Sequence, residues 1–307
     1  MRGEWCGKAR MRLGCGVAVR LVVLAAVIPA ATACNTGRDR ESVAATAPPC
    51  GQIDYGLYPR GSTVDRLHTA GRLRVGIKYD SPGVGYRDPH TGKVSGFDIE
   101  IVKLVACRLG VADRNIEWIE APARSREKLI TSNAVDIVVA TYAINDERRK
   151  LVSYAGPYFL DGQTLMVRRS DVAITGPDAV RGRRVCSTHG SVTLDEIKLY
   201  RAKAVAAASF FDCVDLLLHG KVEAVTGLDA ILIGLLGQFH NQVKIVGPQF
   251  TVVRYGIGLR RSDATFRRFL DDVLQRAFDD GSWRRAYDQT LGRNGIGAPY
   301  PPALMRY

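Results

Sequence analysis

The residues of this chain best suited to chemistry are scattered cations and one glycine-led helix start, and the chemistry they suit is anion recognition. A planar guanidinium offers two parallel donors to the two oxygens of a carboxylate. One such group is Arg148, in the charged run Asp146-Glu147-Arg148-Arg149-Lys150. Read by itself, an arginine in such a run pairs with an acid of its own helix, here Asp146 or Glu147. The segment Thr188-His189-Gly190-Ser191-Val192-Thr193 opens a predicted helix. Orphan N–H groups and the helix dipole favour an anion there. Gly190 permits close approach, and Ser191, Val192 and Thr193 supply donors; the plainer role of the same stretch is an ordinary N-cap by Ser191. His189 reads as a solvated loop histidine. Lys78 and Arg126 are two more cations, a residue class that usually ends on the surface. Other chemistries have little footing. No Cys-x-x-Cys pair or His/Cys cluster suggests a metal or redox centre, no cofactor is implied, and no spare acid stands ready for general acid catalysis.

An α/β body must position these groups. With 307 residues, 46% of them apolar, the chain can bury a sizeable core in one or two domains. Strand and helix signals alternate from about residue 62: strand 73–77, helix 99–109 closed by Gly110, strand 116–120, helix 126–132 and buried strand 136–140. A second series follows, with strand 183–186, helices 191–201 and 213–219, strand 222–226, helix 229–238 and strand 243–246, before a helical tail over 263–291. Extended segments around 164–167 and 255–259 join the two sets. The pattern predicts two α/β lobes with two crossings, able to close like a jaw. Lobe one spans 62–165 and 255–307, and lobe two 168–250. No internal sequence repeat is visible.

The first 33 residues differ from the rest: Arg10, Arg12 and Arg20 border the apolar run 21–33. A membrane-spanning helix needs about 20 apolar residues. This run stops after 13 at the polar segment 35–42, which predicts a signal peptide over 1–33. Met11 is a second candidate start. Ala31-Thr32-Ala33 before Cys34 resembles a bacterial lipobox, although Ala31 stands where leucine is usual. Cys34 is therefore expected to carry lipid chains, a diacylglycerol and an added acyl group such as palmitate, with 34–61 as a flexible tether. Removing five basic residues and one acid with the leader lowers the formal charge from +12 to +8. Export argues against a nucleic-acid partner and leaves an anionic envelope or an acidic ligand. Of the cysteines beyond Cys34, Cys186 and Cys213 sit near the starts of adjacent elements of one βαβ unit and are expected to pair, with Cys50 and Cys107 as a possible second bridge.

The stretch Gly96-Phe97-Asp98-Ile99-Glu100-Ile101 resembles the signature of the family 3 bacterial extracellular solute-binding proteins, which bind polar amino acids for ABC transporters. Asp136-Ile137-Val138-Val139-Ala140-Thr141-Tyr142, Asp146-Glu147-Arg148-Arg149-Lys150 and Gly156-Pro157-Tyr158-Phe159 follow in that family's order, and the similarity covers residues 64–291. The resemblance implies a two-lobed periplasmic-binding-protein-like fold of type II, monomeric and not an enzyme. It implies that Arg148 grips the ligand's α-carboxylate, met from lobe two by the helix start at Gly190, Ser191 and Val192. The α-ammonium would go to Thr141 and Asp229. Ala143 stands where relatives often carry a hydroxyl, and Asp229 falls one step later than in some of them and could instead cap the helix beginning at Ala230. The segment Ile77-Lys78-Tyr79-Asp80-Ser81-Pro82-Gly83 looks like that of actinobacterial acidic-amino-acid binders, making Lys78 and Arg126 partners for a side-chain carboxylate. The expected ligand is L-glutamate or L-aspartate, with glutamine or asparagine possible, delivered at the outer face of the cytoplasmic membrane to an ABC permease. The alternatives are a sensor that presents its closed state to a membrane receptor and, less favoured, a dehydratase on the same body.

Overall fold

Short β-branched runs and capped amphipathic runs build two five-stranded sheets and one small one in the computed structural model, which describes residues 55–294 and 297–306. The expected leader, Cys34 and Cys50 lie outside the described residues. In chain order the elements begin with α1 (Thr63–Ala70), β1 (Leu73–Ile77), β2 (Asp80–Ser81), β3 (Gly85–Arg87), β4 (Val94–Ser95), α2 (Phe97–Arg108), β5 (Ile116–Glu120), α3 (Arg126–Thr131), β6 (Ile137–Val138), α4 (Asp146–Arg149) and β7 (Val152–Asp161). Then come β8 (Gln163–Arg168), β9 (Arg184–Thr188), α5 (Val192–Leu199), β10 (Lys203–Ala207), α6 (Phe210–Leu218), β11 (Ala224–Leu228), α7 (Asp229–Phe239), β12 (Val243–Val246), β13 (Val253–Arg260), α8 (Ala264–Asp279) and α9 (Ser282–Asp288).

The first sheet runs β5-β1-β6-β13-β7 and the second β10-β9-β11-β8-β12. In each, four strands run in one direction and one antiparallel strand is inserted among them, β13 in the first and β8 in the second, each the first strand after the chain enters that lobe from the other. The two lobes therefore share one topology without sharing a sequence repeat. Helix α2 lays Ile101, Val102 and Val105 into the first lobe's core with β1's Val75 and Ile77. Trp283 of α9 closes that core, fully buried, its indole Nε1 donating to the Tyr158 carbonyl at 2.8 Å. Gly96 is where β4 turns into α2. Its φ is 122°, and a methyl group there would lie 2.3 Å from the Val84 carbonyl oxygen, so only glycine fits. Cys186 in β9 is bonded to Cys213 in α6, with the two Cα atoms 5.5 Å apart. Cys107 is also disulfide-bonded.

Several expectations change. The segments around 164–167 and 255–259 are not the crossings. Both are almost wholly buried strands, β8 and β13, because apolar extended backbone finds ladder partners in the sheets. The chain crosses instead at the short links after Asp161 and after Val246. The tether does not remain free up to residue 61: Tyr58 packs edge-on against Phe269 of α8 at 5.5 Å between ring centroids. Strand β7 escapes sequence reading because Gly156-Pro157 punctuates it. Its place at the sheet edge tolerates a proline that cannot donate. The Ala-rich β10, also an edge strand, carries little β signal. The small β2-β3-β4 sheet comes from strands too short to show a period.

The β2-β3 turn reaches from lobe one to α7 of lobe two, where a methyl group on Gly234 would sit 1.8 Å from the Pro82 carbonyl oxygen. Gly234→Ala should raise the helix's intrinsic stability by about 1 kcal/mol yet hold the lobes apart. Small-angle scattering should then report a larger radius of gyration than for the parent chain.

Candidate functional site

The ends of the parallel strands aim their loops at one cleft, the place where α/β sheets hold ligands. Lys78 follows β1, Ala123 and Arg126 follow β5, Thr141 and Ala143 follow β6, and Arg148 lies on α4 just beyond. From the other lobe, Thr188 ends β9 and Ser191, Val192 and Thr193 follow it, while Phe210 opens α6 and Leu228 ends β11. These residues and Ile231 line a cavity between the lobes. The structure thus brings together Lys78, Arg126, Thr141, Ala143, Arg148, Ser191 and Val192 of the expected set. Gly190 stands just outside the lining, its carbonyl accepting from Arg148 Nη2 at 3.1 Å.

Asp229 is not brought to the cavity. Its carboxylate accepts from Thr164 Oγ1 at 3.1 Å and from Gln249 Nε2 at 3.0 Å, partners on strand β8 and on the returning crossing. Nor does it cap α7. That helix starts at Asp229 itself, and the acceptor for Ala230 N–H is Asp161 Oδ2 at 3.2 Å.

Arg148 does not pair within its own helix. Its Nε lies 3.1 Å from Glu127 Oε1 of α3, and its Nη1 donates to the Ala143 carbonyl at 3.2 Å. The Tyr142 ring is flanked by two guanidinium groups, Arg126 at 5.4 Å and Arg148 at 5.2 Å from its centroid, and its hydroxyl donates to the same Glu127 oxygen at 2.8 Å. Lys78 is 4% exposed, with Nζ 2.8 Å from Asp80 Oδ1 and 5.1 Å from the Phe210 ring centroid. Burial pulls the Lys78 pKa down against the opposing pull of Asp80. Burial pushes the Asp80 carboxyl up, but Lys78, the Phe210 N–H and Ser81 outweigh it and hold the pKa below its ordinary value. Arg126 is also 4% exposed, and its Nε donates to the Ala121 carbonyl at 3.2 Å. Burial, then repulsion from Arg148, lowers its pKa. Among the described residues no carboxylate comes within 4.0 Å of Arg126, whereas Lys78 and Arg148 each have one.

The second lobe contributes a cluster of hydroxyls. Ser191 Oγ accepts from Leu194 N–H at 3.2 Å, capping α5, while Ser187, Ser191 and Thr193 hydroxyls lie 2.7 to 3.2 Å from one another. Ser191 is thus an N-cap, and Val192 and Thr193 of the first turn of α5 line the cavity wall.

Sequence reasoning gave no role to Asp98, the acid of the Gly-Phe-Asp signature. It is fully buried, accepts from Tyr158 Oη at 2.6 Å and from Thr141 N–H at 2.8 Å, and so pins Thr141 in a left-handed conformation at φ 47°. The motif itself was the available signal. Glu127, Asp80 and Phe210 carry no comparable mark, since their roles arise from contacts across loops and lobes.

A sequence model of the bacterial extracellular solute-binding proteins, family 3, matches residues 73–293. The glutamate-binding protein GluB of Corynebacterium glutamicum is 34% identical over 238 residues, covering 74% of this chain and 80% of that protein. A glutamine-binding protein of Geobacillus stearothermophilus is 28% identical over 214 residues, covering 69% and 81%. Among solved structures, an ancestral arginine-binding protein bound to glutamine superimposes with a TM-score of 0.68 at 29% identity, covering 72% of this chain and 98% of that one.

Burial raises the Asp98 pKa to about 6 against the two hydrogen bonds that lower it. A carboxyl whose folded pKa is raised stabilises the fold below its unfolded pKa and loses that contribution as pH climbs through the folded value. Asp98→Asn removes the titration. The stability of the parent chain relative to this variant should therefore fall between about pH 4 and 6, by roughly 1.4 kcal/mol per pH unit. Urea denaturation of both proteins at pH 4 and pH 7 measures it.

Proposed function

Because this chain belongs to the bacterial extracellular solute-binding proteins of family 3, we propose that it is a noncatalytic receptor for L-glutamate or L-aspartate, taking the corresponding amides more weakly. It works outside the cytoplasmic membrane, tethered through lipid on Cys34, and delivers its ligand as a monomer to the permease of an ABC importer. The observation that carries the choice of ligand is the charge of the cavity wall: Lys78, Arg126 and Arg148 line it, and among the described residues no Asp or Glu does. Such a wall suits a ligand with two carboxylates better than one whose side chain is neutral. The glutamate-binding and glutamine-binding names of the relatives support the same class.

In this reading Arg148 takes the α-carboxylate with the N–H groups its other contacts leave free, and the α5 N-terminus at Ser191, Val192 and Thr193 meets it from across the cleft. Arg126, a desolvated guanidinium with no acid of its own, takes the side-chain carboxylate. The backbone and hydroxyl oxygens of the wall, Thr141 first among them, serve the ammonium, because Asp229 is engaged elsewhere.

Isothermal titration with the twenty amino acids tests the reading. Arg148→Gln should abolish binding of glutamate and glutamine alike. Arg126→Gln should weaken glutamate by at least about thirtyfold, the scale of losing one partner from a buried charge pair, while changing glutamine by only a few fold. Equal losses for both ligands in Arg126→Gln would overturn the assignment of the side-chain pocket.

A further inference from the structure

Asp80 joins the two lobes directly. Its Oδ2 accepts the backbone N–H of Phe210 at 2.9 Å, a partner 130 residues away at the first turn of α6. Its Oδ1 holds Lys78 Nζ at 2.8 Å and accepts from Ser81 Oγ at 3.1 Å. An anion at a helix start meets both an orphan N–H and the positive end of the dipole. Helix α6 already has its own capping box, in which Ser209 Oγ accepts from Asp212 N–H and Asp212 accepts from Ser209 N–H. That box leaves Phe210 N–H unused, and Asp80 supplies the acceptor from the opposite lobe. Two further contacts converge there: the Tyr86 and Phe211 rings, 6.3 Å apart, and the approach of the Pro82 carbonyl to Gly234. All of these partners are protein groups.

We propose that Asp80 is a latch between the lobes that also withdraws Lys78 from the ligand: one carboxylate ties α6 to lobe one and neutralises the ammonium, leaving Arg126 to read the charge of the ligand's side chain. The second half of this proposal rests on the cleft being the amino-acid site; the first does not. A latch of this kind populates the closed state before ligand arrives. It slows release more than it speeds capture, because it acts only once the lobes have met. The neutralising role moderates the preference for acids over amides, since a free Lys78 would add a second unpaired cation to the wall.

Asp80→Asn keeps the size of the side chain and removes its charge, while Asp80→Glu keeps the charge and displaces the carboxylate by one methylene. Single-molecule energy transfer between dyes on the two lobes, with no amino acid present, should show both variants shifted to longer distances than the parent. Stopped-flow measurement on Asp80→Asn should give glutamate release faster by about tenfold with association changed less than twofold. The ratio of glutamate to glutamine affinity should rise in Asp80→Asn and stay near the parent value in Asp80→Glu. Distance distributions unchanged in both variants would overturn the latch whatever the ligand is. An unchanged affinity ratio in Asp80→Asn would overturn the withdrawal of Lys78. Failure of the parent protein to bind any amino acid would reject the cleft assignment yet leave the ligand-free distances to judge the latch.

Discussion

Desolvated positive charge is the constraint around which this structure is organised. Three cations line one cavity, and two of them, Lys78 and Arg126, are each 4% exposed. A buried cation left alone costs several kcal/mol, so each needs an answer from the protein. Lys78 is answered by Asp80 and by the face of Phe210, and Arg148 by Glu127 and two backbone carbonyls. For Arg126 the answer is partial: one carbonyl and the Tyr142 ring. The residual charge is therefore concentrated at a single guanidinium.

The same economy governs the buried acids. Asp98 and Asp161 are both pushed up to about 6 by burial, and both are spent on geometry. Asp98 fixes the Thr141 corner that faces the cavity. Asp161 sits where the chain first leaves lobe one. Its carboxylate accepts from Gly162 N–H, from Ala230 N–H at the start of α7, and from the Tyr255 hydroxyl in β13. One side chain thus joins the outgoing crossing, the returning strand and a helix of lobe two. Burying an acid there costs desolvation, but it ties three backbone elements to one another at the crossing.

Much of the cleft is legible in the sequence because its parts are short and contiguous: a charged run holding Arg148, a Gly-Ser-Val-Thr helix start, a Gly-Phe-Asp turn. Each carries its own local reason, such as a cap, a positive φ or a strand end. What escapes is whatever depends on partners remote in the chain. Asp229 looks like a ligand contact or a cap from its position before Ala230, yet Thr164 and Gln249, which occupy it, are brought near only by the antiparallel insertion of β8 and the returning crossing. Arg148 looks like a partner for Asp146 or Glu147, but the short α4 directs it to Glu127. The crossings escape for the same reason: an apolar run reads as an extended linker until a neighbouring strand is there to pair with it. Strand β7 was hidden by a proline that only an edge position tolerates.

Closure itself follows from how these contacts divide. Arg148 to Gly190, Asp80 to Phe210 and Pro82 against Gly234 span the cleft using protein groups alone. A neutral hydrogen bond contributes about 1 kcal/mol net and one to a charged group about 2, so a pair of such bonds gives the closed form only a few kcal/mol against the water it excludes. That is the range in which a ligand's own contacts decide the balance. Far stronger contacts would shut the cleft before ligand could enter, and far weaker ones would require the ligand to supply all of the closing energy. An unbalanced guanidinium at Arg126 adds to this tuning. With the lobes in contact it is a desolvated charge, whose burial opposes closure and so sets a limit on how far the protein's own contacts can hold the cleft shut.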